Sequence, residues 1–238
     1  MALITGGARR VGRAVALHLA QAGWDVAITF NRSNDDAASL QREIETLGRR
    51  CLTVQADFED PETAASVVGE AIETKLGVLS LLMHNASIYE PGRLAETGLD
   101  QLRQNWAVHC ETPLLLTQRL RPMLESAHGT VLTMTDIDVE RSRPSHVAYA
   151  MTKAALANLT RQLARELAPD VTVNAIAPGA VLWEPGISED DKAAFLSRVP
   201  LERSGDPSDI AKLVEFLCTG GRYITGQTLR VDGGRTIR

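Results

Sequence analysis

The sequence predicts an α/β fold, a single-domain doubly wound parallel sheet with helices on both faces, and three observations carry that prediction. Apolar runs of strand length alternate with stretches of helical spacing throughout the 238 residues. The strand-length runs are almost continuously apolar, as strands covered on both faces must be. The residues that carry chemistry fall just after those runs, where open sheets of this kind bind ligands. With 44% hydrophobic and 23% charged residues, no break in composition and no long polar linker, one domain (1–238) accommodates the chain.

Residues 2–5 read as a short buried strand. Over 11–22 the apolar residues Val11, Val15, Leu19 and Ala22 keep to one helical face, and Gly23 stops the helix. Residues 25–30 form a second strand. Ser33 or Asn34 then caps a helix to about Leu47, with Gly48 as its stop. A third strand covers 51–55. Asp60-Pro61, a cap followed by proline at the first helical position, opens a helix to about Leu76. Residues 78–84 are a fourth strand, 99–126 a longer helical region, 131–135 a fifth strand, 147–168 a long helix and 171–176 a sixth strand. A loop containing proline and glycine runs from 178 to about 188, short helical pieces follow, and a last strand spans 228–231. The cofactor half is expected at about 1–130 and the catalytic and substrate half at about 131–238.

Composition excludes several classes of function. The net charge of −5 argues against nucleic acid as the main partner, while leaving room for a local basic pocket for phosphate. No apolar run approaches membrane-span length, and no charged segment precedes a cleavable apolar one. Cys51, Cys110 and Cys218 are odd in number and scattered, so neither a disulfide framework nor a zinc site is expected, and a reducing cytoplasm is the simplest compartment. His18, His84, His128 and His146 lack metal-ligand spacing, and no metal is assigned.

The first strand leads through Thr5-Gly6-Gly7-Ala8-Arg9-Arg10-Val11-Gly12-Arg13 into a helix. Glycines there let the backbone approach a pyrophosphate whose charge the helix N-terminus favours. The context of strand before and helix after makes the sheet Rossmann-like and points to dinucleotide binding at Gly6, Arg9, Arg10 and Val11. After the second strand, Asn31-Arg32-Ser33 offers donors where a carboxylate would repel a 2′-phosphate, which favours NADPH over NADH. Asp57 is placed to accept from an adenine amino group, with Phe58 beside it. Asn85-Ala86-Ser87, after the fourth strand, is small enough for a cofactor to lie against the backbone.

Tyr149 and Lys153 are four apart and share one helix face. An ammonium beside a phenol favours the phenolate and makes the phenol a usable proton donor. Asp136, just past the run Val131-Leu132-Thr133-Met134, is a third ionisable group within reach. Such a Tyr-x-x-x-Lys also occurs on ordinary helix surfaces, so context has to decide.

Taken together these motifs resemble the short-chain dehydrogenase/reductase superfamily over essentially the whole chain. The resemblance rests on the glycine loop, Asn85-Ala86, Tyr149-x-x-x-Lys153, Asn174 with Pro178-Gly179, and Thr225-Gly226-Gln227 followed by Val231-Asp232-Gly233-Gly234. Three departures narrow it. Arg10 stands at the middle glycine of the usual loop, Asp136 at the usual serine thirteen residues before the tyrosine, and His109 at the usual asparagine forty residues before it. Arginine and aspartate in those places resemble the pteridine reductase branch. The stretches Thr135-Asp136 … Val139-Glu140-Arg141 and Asp232-Gly233-Gly234-Arg235 … Arg238, with His109, look most similar to its bacterial dihydromonapterin reductases.

The resemblance implies NADPH as cofactor and a dihydropterin of the dihydromonapterin or dihydrobiopterin type, or dihydrofolate, as substrate. Tyr149 would be proton donor and Lys153 would bind the nicotinamide ribose, with Pro178 and Gly179 also at the cofactor. Arg10 would serve both cofactor phosphate and pterin, Ser87 would touch both, and Tyr89 would stack on the pterin. An ionised Asp136 only accepts hydrogen bonds, so sharing a proton with Tyr149 suits a basic ring nitrogen better than a ketone. His109 is either part of a water relay from Lys153 or a hydrogen-bonded helix histidine. Trp183 is either a mobile cover of the pocket or a core or interface residue. A homotetramer built on the helices at 99–126 and 147–168 is implied as well. Two other readings stand beside this one: a reductase of 3-oxoacyl thioesters or small ketones, and a non-catalytic NADP(H) sensor.

Overall fold

The computed structural model describes residues 1–75, 77–140, 145–183 and 186–237. Its strands are β1 (Ala2–Ile4), β2 (Val26–Phe30), β3 (Cys51–Gln55), β4 (Leu81–His84), β5 (Thr130–Met134), β6 (Thr172–Pro178) and β7 (Thr228–Val231). They form one seven-stranded sheet in the order β3-β2-β1-β4-β5-β6-β7. Every pairing is parallel. The order reverses between β1 and β4, which opens a crevice at the carboxyl ends of those two strands.

The helices are α1 (Arg10–Gln21), α2 (Asn34–Thr46), α3 (Pro61–Lys75), α4 (Leu99–Trp106), α5 (Thr112–Ser126), α6 (Val147–Glu166), α7 (Glu189–Leu196) and α8 (Pro207–Thr219). Alternation along the strands feeds two cores. Ile4, Ile28 and Met83 pack with Val15, Leu19, Leu40, Ile210 and Val214 of α1, α2 and α8. Leu3, Ala27, Leu82 and Val131 face the other way, onto Val68, Ile72, Leu116, Leu120 and Leu163 of α3, α5 and α6. Each fully buried aliphatic side chain contributes roughly 1.5–3 kcal/mol of transfer free energy, so both layers hold the sheet rigidly. Among the described residues, no helix is long and apolar enough to cross a membrane.

Several boundaries shift by one or two residues from the sequence reading, and three differences have a specific cause. The helical region at 99–126 is not continuous: a π turn at Ala107–Glu111 separates α4 from α5. Pro113, in the first turn of α5, has no N–H to give the carbonyl of His109 four residues back, so an unbroken α-helix would leave that carbonyl without its bond. β4 starts at Leu81 rather than 78, because Val78 is exposed and the Ser80 N–H turns to the Met1 carbonyl. β1 stops at Ile4, since Thr5 is diverted to side-chain bonding described below. The expected helix end at Leu76, Arg141, Arg238, and Glu184 and Pro185 of the 178–188 loop lie outside the described residues.

Candidate active site

The crevice at the strand reversal is built by mutual clamping of the β1 and β4 loops. Thr5 Oγ1 accepts from the N–H groups of Asn85 and Ala86 at 2.9 and 3.0 Å. The Asn85 amide returns the contact, donating to the carbonyls of Thr5 and Gly6 at 2.9 and 3.1 Å. Asn85 therefore holds the two loops together rather than offering its amide to a ligand. Gly6 has φ +61°, and a Cβ there would fall 2.9 Å from Ala86 Cα. No side chain fits between the loops.

Asp136 follows β5 and is pinned at both carboxylate oxygens. Oδ1 accepts from the Asp138 N–H at 2.8 Å, closing the short 3₁₀ turn Ile137–Glu140, and Oδ2 accepts from the Tyr149 hydroxyl at 2.8 Å. One turn along α6, Lys153 is only 2% exposed and donates to the Met134 carbonyl at 2.8 Å. Its ammonium lies 5.5 Å from the Tyr149 ring centre. Burial pulls the Lys153 pKa down to about 8, against the raising influence of the Asp136 carboxylate. Tyr149, Lys153 and Asp136 thus meet at one point, as the sequence predicted.

His109 enters this cluster through the π turn. Its Nδ1 lies 2.8 Å from Thr152 Oγ1, whose hydroxyl donates to the Tyr149 carbonyl at 2.9 Å, and its Nε2 lies 2.8 Å from Ser87 Oγ. Burial, reinforced by the Lys153 charge, pushes its pKa down to about 2. The ring is a hydrogen-bonded neutral bridge between α6 and the β4 loop. Tyr89 stacks on His146 at 4.3 Å and 17° and meets Tyr149 edge-on at 4.8 Å. Sequence reasoning missed His146, whose only signal was its place three residues before Tyr149. It also missed Thr152 and the Met134 carbonyl; a main-chain acceptor leaves no trace in residue identity.

Ser87, Tyr89, Asp136, Tyr149 and Lys153 line one cavity of about 790 Å³. Its walls include Gly6, Arg9, Arg10 and Val11 from the first loop, Asn31, Arg32 and Ser33 after β2, and Asp57 and Phe58 after β3. Asn85, Ala86, Ser87, Tyr89, Asp136, Tyr149, Lys153, Pro178 and Gly179 complete the set of expected residues that face it. Trp183 is not brought there. It packs edge-on against Phe195 of α7, 5.4 Å between ring centres. Arg10 holds φ +53°, the left-handed conformation that glycine adopts freely. A glycine, the residue of the usual loop at this place, would hold that conformation without strain.

Comparison with known proteins gives the same frame. A family model described as enoyl-(acyl carrier protein) reductase matches residues 6–236. The chain belongs to the short-chain dehydrogenase/reductase superfamily. Among members of that superfamily, it is 36% identical to a dihydromonapterin reductase of Klebsiella pneumoniae over 242 residues, covering 99% of this chain and 96% of that one. It is 34% identical to a 3-oxoacyl-[acyl-carrier-protein] reductase of Staphylococcus epidermidis, covering 98% and 97%. Two solved structures superpose closely. FolM alternative dihydrofolate reductase 1 of Brucella suis in complex with NADP has a TM-score of 0.89 at 34% identity, covering 100% of this chain and 95% of that one. A blue fluorescent protein from a metagenomic library in complex with NADPH has a TM-score of 0.91 at 33% identity, covering 98% and 96%. The chain is thus a nicotinamide-dependent short-chain oxidoreductase, with relatives on both the pterin and the carbonyl side.

Proposed function

We propose that this enzyme uses NADPH to reduce dihydropterins, of the dihydromonapterin or dihydrobiopterin type or dihydrofolate, to tetrahydropterins. The observation that carries the reading is the 2.8 Å hydrogen bond from the Tyr149 hydroxyl to Asp136, where a serine is usual in the superfamily. Relatives named for dihydromonapterin reduction and alternative dihydrofolate reduction support it.

The residues present suit NADPH. Gly6 lets the first loop pack directly on the β4 loop at the cavity wall, the N-terminus of α1 faces the cavity, and Arg9, Arg10 and Arg32 supply cations at its rim. Bound there, the cofactor supplies a hydride. The chain's own residues orient and protonate. Tyr149 carries one proton at its hydroxyl oxygen, given to the Asp136 carboxylate in the resting site, and turning the hydroxyl from Asp136 to a substrate nitrogen makes that proton transferable. When the proton passes to a ring nitrogen, the Lys153 ammonium offsets the charge left on the phenolate. Asp136, ionised, has no hydrogen to offer a ketone oxygen. Tyr89 and Arg10 give the cavity an aromatic plane and a guanidinium suited to a flat aminopyrimidinone. The homotetramer is proposed with this reading on family resemblance, and the cytoplasmic setting on the three scattered cysteines.

Reduction of a 3-oxoacyl thioester is the competing reading, favoured by the 34% identity to a reductase of that name. NADPH oxidation measured side by side with dihydromonapterin, dihydrobiopterin, dihydrofolate and a 3-oxoacyl thioester separates the two. Turnover of a pterin is the expected result. Oxidation with the thioester and with no pterin overturns the proposal, and oxidation with none of them points to the sensor reading.

A further inference from the structure

The tautomer of His109 follows from its neighbours. The Ile88 backbone N–H, which can only donate, points at Nε2 at 3.3 Å, so Nε2 carries a lone pair. The ring hydrogen therefore sits on Nδ1 and is given to Thr152 Oγ1 at 2.8 Å, leaving the threonine hydroxyl free to donate to the Tyr149 carbonyl. His109 is 1% exposed, and its depressed pKa keeps this neutral form in place throughout the working pH range.

Ser87 inherits a fixed polarity. Its Oγ lies 2.8 Å from the bare Nε2, a distance at which the hydroxyl must donate. The alternative acceptor, the Ile88 carbonyl, is 3.4 Å away, and turning the hydrogen there would leave two lone pairs facing each other across 2.8 Å. A serine has one hydrogen and two lone pairs. With the hydrogen committed to His109, Ser87 presents only acceptor capacity to the cavity that it lines.

We propose that His109 is a positioning residue that fixes Ser87 as an acceptor and so selects ligands presenting an N–H donor at that point. A ring N–H or an exocyclic amino group is satisfied there. A keto or thioester oxygen meets a second acceptor and is left unpaired as it is desolvated. This inference rests on the pterin reading and extends it, by assigning part of the discrimination between a nitrogen heterocycle and a carbonyl substrate to a buried histidine.

Two measurements test it. In protein labelled with ¹⁵N-histidine, the resonances lost in His109→Asn should show a protonated Nδ1 and a bare Nε2 that do not titrate between about pH 5 and 9. A protonated Nε2 overturns the proposal whatever the substrate, so this arm survives failure of the pterin reading. The second is the ratio of kcat/KM for dihydromonapterin over a 3-oxoacyl thioester. Asparagine reaches only the Nδ1 position, so His109→Asn frees the Ser87 hydrogen, and the ratio should fall about tenfold, the value of one hydrogen bond. Glutamine places an acceptor oxygen near the Nε2 position, so His109→Gln should recover most of the ratio. Ser87→Ala, at an exposed site that tolerates truncation, should lower the ratio similarly and serves if His109→Asn does not fold. A folded His109→Asn that slows both substrates equally is the mark of a purely structural role and overturns the proposal.

Discussion

The Tyr149 hydroxyl donates to Asp136 Oδ2 at 2.8 Å, while the other oxygen of that carboxylate is held at 2.8 Å by the Asp138 N–H. The acceptor is therefore fixed before any substrate arrives, and the phenol proton has a defined direction. Replacing Tyr149 by Phe removes the proton itself and should lower dihydropterin turnover by about 10²–10⁴, the usual worth of a positioned acid. Asp136→Ser keeps the phenol and loses the carboxylate. It should cost about tenfold or more with the pterin and less with a ketone, as read from paired kcat/KM values. Equal turnover of pterin by Asp136→Ser and the unaltered enzyme would remove the special role given to the carboxylate.

Lys153 predicts a pH dependence with a definite sign. Its folded pKa of about 8 lies below the ordinary lysine value of 10.5, chiefly through burial. The charge that offsets the phenolate is lost as pH rises through about 8, so kcat/KM should fall on that limb. Asp136 raises this pKa, so Asp136→Asn should move the limb to lower pH. For stability the sign is opposite. Between pH 8 and 10.5 the unfolded chain binds the extra proton, so the burial cost, on the order of 3 kcal/mol, is full below pH 8 and relieved as pH rises to 10.5. Denaturant titrations of Lys153→Met should lack that rise.

Arg10 sits at φ +53°, where a side chain costs about 1–2 kcal/mol and glycine does not. Arg10→Gly should therefore be more stable than Arg10→Ala by about 1 kcal/mol, read as a few degrees of Tm. Both should weaken NADPH and dihydropterin binding by comparable factors, since both lose the guanidinium at the cavity wall. Thermal unfolding with and without NADPH, alongside KM values, separates the backbone effect from the ligand effect.

Arg32 lines the cavity after β2 and is exposed to solvent. Arg32→Asp should raise the KM for NADPH by about 10–100-fold and improve NADH use, because a carboxylate repels a 2′-phosphate and accepts from a ribose hydroxyl. Steady-state kinetics with both cofactors checks the exchange. An unchanged preference would make Arg32 a solvated turn residue.

Gly6 should tolerate no substitution. Gly6→Ala places a methyl 2.9 Å from Ala86 Cα at a positive φ, and should cost a few kcal/mol of stability together with cofactor affinity. Equal thermal stability and NADPH KM in Gly6→Ala would show that the two loops can separate cheaply.

Much of this was legible in the residues because it is set locally. β3 (Cys51–Gln55) and β7 (Thr228–Val231) fall where apolar runs of strand length predict them, and Asp60 caps α3 through the Thr63 N–H at 3.2 Å as Asp60-Pro61 predicts. Tyr149 and Lys153 share a face because 3.6 residues make a turn. The order of loops after parallel strands then brings Arg10, Arg32, Ser87 and Asp136 to one end of the sheet. By itself the sequence determined the fold class and which residues gather at the carboxyl end of the sheet.

Tertiary structure decided which partner each polar or aromatic group takes. The apolar spacing over 99–126 runs through the π turn unmarked, with Pro113 as the one local sign of a break, yet that turn carries His109 to Ser87 and Thr152. Asn85 could have faced a ligand, and instead bonds the β1 loop. Tyr89 stacks on His146, and Trp183 goes to Phe195 rather than to the cavity. These choices lie between segments far apart in the chain, where a hydrogen bond or ring contact depends on positions to within a fraction of an ångström. Periodicity and spacing fix which face a residue occupies; only the packed structure fixes what that face meets.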